Sequence, residues 1–212
     1  MTRSETVIVA GIMGWYPYGG IAWQYLHYME GLRRLGFDVV YFEDTGYWAP
    51  DNAVSFITDI MRRYGFDGKW FYRSVSAEEP FGMDDDTFAR VLSQAAAVFN
   101  VTASTVLKDE FEKVPLRAHI ETDPVEFQLK YNLYKLGKAS AEDERFTEYL
   151  ENIDKHTHHF TFGENFGASD CPVPIEDYSY IPTRQPVVTD WWAGRDRASA
   201  AVQPKRYTTI AN

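Results

Sequence analysis

Apolar and polar positions along this chain follow two rhythms in turn. Thr6–Ile12 (TVIVAGI) is continuously apolar, as a strand buried on both faces requires. Gly11, Gly14, Gly19 and Gly20 mark the turn after it. From about Gly20 to Leu35, Ala22, Leu26, Met29 and Leu32 recur at three or four residues and predict a helix with one apolar stripe. Gly36 stands where a C-terminal cap is wanted. Asp38–Glu43 (DVVYFE) reads as the second strand.

The same order recurs downstream. Asp51–Tyr64 reads as a helix capped by Asp51, with Val54, Ile57, Met61 and Tyr64 on one face and Gly65 as its stop. Trp70–Val75 reads as a strand, Asp85–Ala95 as a helix, and Ala97–Thr102 and Leu116–Thr122 as strands. Asp123-Pro124-Val125-Glu126 carries helix-opening signals: Asp as cap, Pro in the first turn, Glu three residues after the cap. That helix is expected to reach Leu136. Phe146–Ile153 reads as a helix and His158–Phe162 as a strand ending at Gly163.

Alternation of this kind predicts an α/β chain with a Rossmann-like open, mostly parallel sheet and helices on both faces. Residues 1–167 are read as that domain. Pro172, Pro174, Pro182 and Pro186 then break the pattern, so 168–206 reads as an extended Pro-rich connector. Tyr207–Ile210 looks like the opening of one more strand. Residues 207–212 therefore read as the start of a second domain or a tail.

Composition narrows the function classes. The formal net charge of the 212-residue chain is -10, which argues against nucleic acid and against an anionic membrane surface as partner. Thr6–Met13 is too short for a membrane span and lacks a signal-peptide cleavage site. One cysteine, Cys171, excludes an internal disulfide and fits a cytoplasmic compartment. Aromatics reach 16%, and Trp15, Tyr16, Tyr18, Tyr47, Trp48, Trp191 and Trp192 fall in predicted loops. Such rings suit stacking on sugars or an interface, with rim packing as the alternative.

Candidate chemistry gathers at the predicted C-terminal ends of the strands, where open α/β sheets bind ligands. Gly19 and Gly20 allow backbone N–H groups to approach an anion at a helix N-terminus. The spacing is not G-x-G-x-x-G, so a dinucleotide fingerprint is absent and no NAD is expected. Trp23 follows in the first turns of the same helix. Glu43 and Asp44 end the second strand and suit a ribose or sugar hydroxyl, or a solvated loop. Asp123 is a carboxylate in the same cleft by topology, or a helix cap. Glu164 and Asn165 follow the last strand and suit an acceptor hydroxyl, or a turn. His156, His158 and His159 lack a convincing ligand spacing, because His159 would point away from the other two in a strand, so no metal is expected. His27 and His119 read as structural. Cys171, followed by Pro172, has no nucleophile context.

Three segments carry a family resemblance: Tyr16–Gly46 (YPYGGIAWQYLHYMEGLRRLGFDVVYFEDTG), His119–Lys130 (HIETDPVEFQLK), and Phe160–Pro174 with Ile181–Val188. The first resembles the strand, Gly-Gly turn and helix that open retaining GT-B glycosyltransferases, with Phe37 where His is commoner. Together they are similar to a group of bacterial glycosyltransferase-like proteins. The resemblance implies an N-terminal, acceptor-side domain of a nucleotide-sugar-dependent transferase. Its ligand-binding residues would be Gly19, Gly20, Trp23, Asp44 and Asn165, and its catalytic residues Asp123 and Glu164. It implies no metal and no cofactor beyond the nucleotide-sugar substrate. Enzymes of that kind hold the donor in a second Rossmann-like domain, and YTTIAN resembles the first strand of one. The chain is therefore expected to be incomplete alone. A non-catalytic Rossmann-like binding or interaction subunit, with Trp191 and Trp192 as interface anchors, is the alternative.

Overall fold

The computed structural model describes residues 4–46, 48–103, 105–138, 143–175 and 177–193, with backbone alone for 143–145. Tyr47, the rest of the connector and Tyr207–Ile210 lie outside these residues. Chain order begins β1 (Thr6–Ala10), α1 (Gly19–Arg34), β2 (Asp38–Glu43), α2 (Ala53–Arg63), β3 (Trp70–Tyr72), β4 (Phe81–Gly82) and α3 (Asp85–Gln94). It continues with β5 (Ala95–Val101), β6 (Leu116–Glu121), α4 (Glu126–Lys135), α5 (Asp143–Asp154), β7 (His158–Thr161) and β8 (Tyr180–Pro182).

The strands form one sheet in the order β4-β3-β2-β1-β5-β6-β7-β8. Every pairing is parallel except β3 with β4. This is a Rossmann-like open sheet, with β1 at its centre because β1 is apolar on both sides. On one face Val9, Tyr41, Val101 and Ile120 meet Tyr25, Leu26 and Met29 of α1 and Ile57 and Met61 of α2. On the other, Ile8, Val40, Phe42 and Phe71 meet Phe88 and Leu92 of α3 and Phe111 of a 3₁₀ turn, Asp109–Lys113. Complete burial of side chains such as Ile8, Val9 and Phe42 contributes about 1.5–3 kcal/mol each. Phe127 of α4 with Leu150 and Ile153 of α5 closes a third cluster over the β6–β8 half.

Several local expectations change. Helix α2 starts after Asn52, not Asp51, and no side chain caps it. Helix α4 starts at Glu126, so Asp123 is not its cap. Val125 takes that place at φ 88, and its amide donates to Gln128 Oε1 at 2.7 Å. The side chain of Gln128 thus does the work expected of Asp123. Strands β4 and β8 were not legible: each has three residues or fewer, too short for a period-two pattern. β8 lies within the segment read as connector.

The segment after β8 straps back across α1. The Val188 amide donates to His27 Nδ1 at 3.0 Å, Gln185 Nε2 to the Gln24 carbonyl at 3.1 Å, and Arg34 pairs with Asp190 at 2.8 Å. Trp191 and Trp192 pack within the chain, their rings tilted against Trp23 at 5.5 and 5.1 Å between ring centroids.

Candidate functional site

After β1 the chain turns to β2 on one side, and it later crosses to β5 on the other. The carboxyl ends of β1 and β5 therefore flank the switch point of the sheet, where open α/β folds leave a crevice. Its walls are the loop 11–18 and the loop after β5. Thr105 Oγ1 donates to the Gly11 carbonyl at 3.2 Å and ties the two together.

The loop after β1 is held by β2. The Gly14 and Trp15 amides each donate to the Glu43 carboxylate at 2.7 Å. Tyr41 Oη donates to the same carboxylate and accepts the Met13 amide at 2.7 Å. Tyr41 and Glu43 are two residues apart on a strand and so share a face, which lets both reach this loop. Burial pushes the Glu43 carboxyl up to about 7, against the pull of the Gly14 amide, the Tyr41 hydroxyl and the Trp15 amide. Amides that could cradle a ligand anion are thus satisfied by an internal carboxylate.

Gly19 and Gly20 lie beyond this plug. Both are exposed, both are helical, and a Cβ on either would meet nothing within 4 Å. The residue before them, Tyr18, is extended and gives no side-chain cap, and the first turn of α1 has no acidic residue. Helix α3 is built the other way, with Asp84 accepting the Thr87 amide and Asp85 and Asp86 in the first turn. The start of α1 therefore presents N–H groups and a partial positive charge to open space. Tyr16, Tyr18 and Trp48 stand exposed on the loops after β1 and β2.

The other predicted residues divide into two groups. Trp23, one turn into α1, is half-buried among His27, Tyr64, Trp191 and Trp192. Asp44 is buried rather than a solvated loop acid, with Lys108 Nζ at 2.6 Å, Arg73 at 3.2 Å and the Gly46 amide at 3.2 Å. Both engage other parts of the chain. Asp123, Glu164 and Asn165 are exposed on the loops after β6 and β7, which are neighbouring strands. Asp123 accepts from Thr122 Oγ1 at 3.3 Å. Glu164 takes a two-pronged bond from Arg184, one arm at 2.7 Å, which holds its carboxyl below the usual range. Asn165 donates to Asp170 at 3.2 Å.

Beneath these loops lies a buried polar layer that sequence patterning missed. Glu121 accepts from Gln128 Nε2 at 2.6 Å and from the Thr161 hydroxyl, and burial raises its carboxyl. Thr102 and Ala103 leave β5 with φ of 69° and 51°, the left-handed region that non-glycine residues occupy only when their surroundings fix them. Asn152 supplies that fixing: its amide donates to the Ala103 and Thr105 carbonyls at 3.0 and 3.1 Å and accepts from the Leu107 amide at 2.9 Å. Asn100 adds a bond to the Thr105 carbonyl at 2.8 Å and contacts His156 Nε2 at 3.1 Å. An Asn in an apolar strand and an Asn on a helix give no sequence signal until the fold joins them.

His119, His156 and His159 do converge, with ring centroids 5.5–6.4 Å apart. His156 precedes β7, so strand alternation does not govern where it points. Burial lowers the basicity of all three, His156 to about 4. Among the described residues no group of His, Cys, Asp or Glu is arranged to hold a metal, and no helix is long and apolar enough to cross a membrane. Comparison of the sequence with protein-family models and with curated proteins gives no match.

Proposed function

We propose that this chain is the acceptor-side, Rossmann-like part of a GT-B-like glycosyltransferase. In this reading it binds a sugar acceptor and the sugar end of a nucleotide-sugar at the carboxyl edge of its sheet. A second domain or subunit holds the nucleotide. The observation that carries the reading is the open start of α1: Gly19 and Gly20, uncapped and unobstructed beside the switch point, with Tyr16, Tyr18 and Trp48 exposed around it. A sugar ring stacks on exposed aromatic faces, and a leaving diphosphate is stabilised by helix N-terminal amides without a metal. Asp123 takes the proton of the acceptor hydroxyl as its oxygen bonds to the anomeric carbon and the bond to the diphosphate breaks. Glu164, held by Arg184, orients the acceptor.

The test is an amide chemical-shift titration of the chain with UDP-, GDP- and dTDP-hexoses and with simple glycosides. Shifts should fall on Tyr16–Ile21 and around Asp123. A panel in which no sugar or nucleotide-sugar moves those amides sinks the reading. Glycosyl transfer by the chain alone would remove the need for a second domain.

The second reading is a non-catalytic interaction subunit. The apolar outer side of α4 favours it, since Leu129, Leu133 and Leu136 are exposed there. Retained partner binding in a Gly20→Glu variant that no longer responds to sugars would separate the two.

A further inference from the structure

Two strands end in a glutamate whose carboxylate is buried, β2 in Glu43 and β6 in Glu121. Glu43 holds the single loop after β1. Glu121 stands where two loops meet. From the loop after β6, the Val125 amide donates to Gln128 Oε1 at 2.7 Å, and Gln128 Nε2 donates to Glu121 Oε1 at 2.6 Å. From the loop after β7, the Gly163 amide donates to Thr161 Oγ1 at 2.9 Å, and the Thr161 hydroxyl donates to Glu121 Oε2. Gln128, Glu121 and Thr161 are all buried. Glu121 with Thr161 is also the last registered pair of β6 and β7, so this clasp closes where the ladder ends.

The direction of every bond runs from the loops inward. A backbone N–H opens each arm and takes the acceptor of Gln128 on one side and of Thr161 on the other. Each of these side chains then has a donor left for the centre. Two donors converging on one buried side chain need acceptors on both sides, which an ionised carboxylate supplies and an amide does not. Keeping a carboxylate out of water is costly. What it secures here is a turn that does not hold itself. Val125 stands at φ 88 and ψ -45, a conformation that a β-branched residue takes only when its surroundings impose it. Pro124 restrains Asp123 as well, because the residue before a proline is kept from helical backbone. Asp123 is thus set by its two successors. On the second loop Glu164 directly follows Gly163, and its own amide donates to the Phe162 carbonyl at 2.9 Å.

We propose that Glu121 is a positioning residue for the acceptor site: one buried carboxylate clasps the loop bearing Asp123 to the loop bearing Glu164 and fixes how the two exposed acids stand to each other. Glu121 touches no ligand and acts through Gln128 and Thr161. Its role rests on the reading, proposed above, of Asp123 and Glu164 as the pair that meets a sugar acceptor.

The experiment exchanges the two central side chains in the full chain, read by amide chemical shifts and by titration with a panel of methyl glycosides. Glu121→Gln sets donor against donor, and Gln128→Glu sets two carboxylates together. Glu121→Gln with Gln128→Glu restores every bond with the charge moved one place along. Position 128 then accepts from the Val125 amide and from the side-chain amide at 121, which in turn accepts from Thr161. In the free chain Glu121→Gln should move the amides of Val125, Gly163 and Glu164 together, and the double variant should return them. Glycoside affinity should fall about tenfold or more in each single variant and recover to within about threefold in the double one. Thr161→Val, which cuts one arm, should move Gly163 and Glu164 and spare Val125. If Glu121→Gln does not fold, the double variant must both fold and bind. With a wild-type chain that binds, three outcomes overturn the inference and leave the acceptor reading standing: full affinity in Glu121→Gln, shifts confined to one loop, or a double variant that does not recover. A wild-type chain that responds to no glycoside removes the acceptor reading, and the positioning role goes with it.

Discussion

Glu43 and Gly14 are joined by a 2.7 Å hydrogen bond, from the amide at the tip of the β1 loop to the carboxylate at the end of β2. An acid at the end of the second strand of a Rossmann-like unit invites a ribose-binding role. Here it is buried and turned inward, so the chain's own carboxylate occupies the first anion-ready turn. The start of α1, by contrast, has no side-chain cap and no acid in its first turn.

This arrangement makes stability depend on pH through Glu43. Its carboxyl titrates at about 7 in the folded chain against an ordinary 4.5. The folded state therefore holds the proton more tightly than the unfolded one. That stabilisation is complete below about pH 4.5 and is lost as pH rises through 7, a loss on the order of 3 kcal/mol. Glu43→Gln cannot lose it. At pH 5 the variant should be less stable by about 1–3 kcal/mol, because an amide N–H now faces the Gly14 or Trp15 N–H. The gap should narrow toward pH 8. Urea unfolding at both pH values is the check, and a gap that stays constant contradicts the assignment.

The glycines of the β1 loop should separate by role. A Cβ at Gly14 meets Ile57 at 2.8 Å and Glu43 Oε1 at 3.2 Å, so Gly14→Ala should lose about 1–3 kcal/mol. Gly19 and Gly20 meet nothing within 4 Å, and both are helical. Their alanine variants should be neutral or more stable by up to about 1 kcal/mol. If α1 receives a ligand, Gly20→Ala should weaken binding while leaving or raising the melting temperature. A Gly20→Ala protein that melts earlier would show that the turn is under structural constraint after all.

Legibility in the sequence followed the length of the pattern. β1, α1 and β2 repeat their rhythm over enough residues to be read, and Gly36, at φ 96, caps as expected. β8 has three residues, and its place in the sheet comes from pairing with β7, which no local pattern encodes. The apparent cap at Asp123 misled because capping needs geometry as well as residue type, and Val125 with Gln128 met that geometry instead. The site shows the same division. Gly19 and Gly20 open α1 after β1, and Asp123, Glu164 and Asn165 lie on the loops after β6 and β7, all following the carboxyl ends of strands. Asp44 and Trp23 engage Lys108 and Trp191, partners far along the chain, so local pattern did not reveal what they touch.

The loop after β5 should be the first region to yield in acid. Its left-handed residues, Thr102 and Ala103, are fixed by Asn152 and Asn100, and Asn100 Nδ2 donates to His156 Nε2. That contact requires an unprotonated Nε2, while Nδ1 faces the Ile153 carbonyl at 3.1 Å. His156 is depressed to about 4, so its contribution is present above pH 6.5 and is lost as pH falls through 4. His119 and His159, lowered in the same direction, add to the loss, which runs opposite to the effect of Glu43. Asn152→Ala should cost about 2–4 kcal/mol by stripping the Ala103 carbonyl and the Leu107 amide of partners, while the Thr105 carbonyl keeps its bond from Asn100. Hydrogen exchange at Leu107 should rise before exchange in β1. Simultaneous exposure of both would assign the acid transition elsewhere.

The pH response of the strap over α1 should come from His27. Its Nδ1 accepts the Val188 amide at 3.0 Å, and burial lowers its basicity. The bond's contribution is therefore full above pH 6.5 and is lost as pH falls through the lower value His27 has in the folded chain, when a protonated Nδ1 can no longer accept. Trp23, Trp191, Trp192 and the Arg34–Asp190 pair hold the strap independently, so acid should loosen it without releasing it. The expected observation is faster exchange of the Val188 amide at pH 5.5 than at 7.5, after correction for intrinsic rates. His27→Gln can present an acceptor at every pH and should remove that dependence. Trp23→Ala, which takes away the ring beneath both tryptophans, should speed tryptic cleavage after Arg184 about tenfold or more at pH 8. Unchanged cleavage in Trp23→Ala would mean that the aromatic stack does not hold the strap.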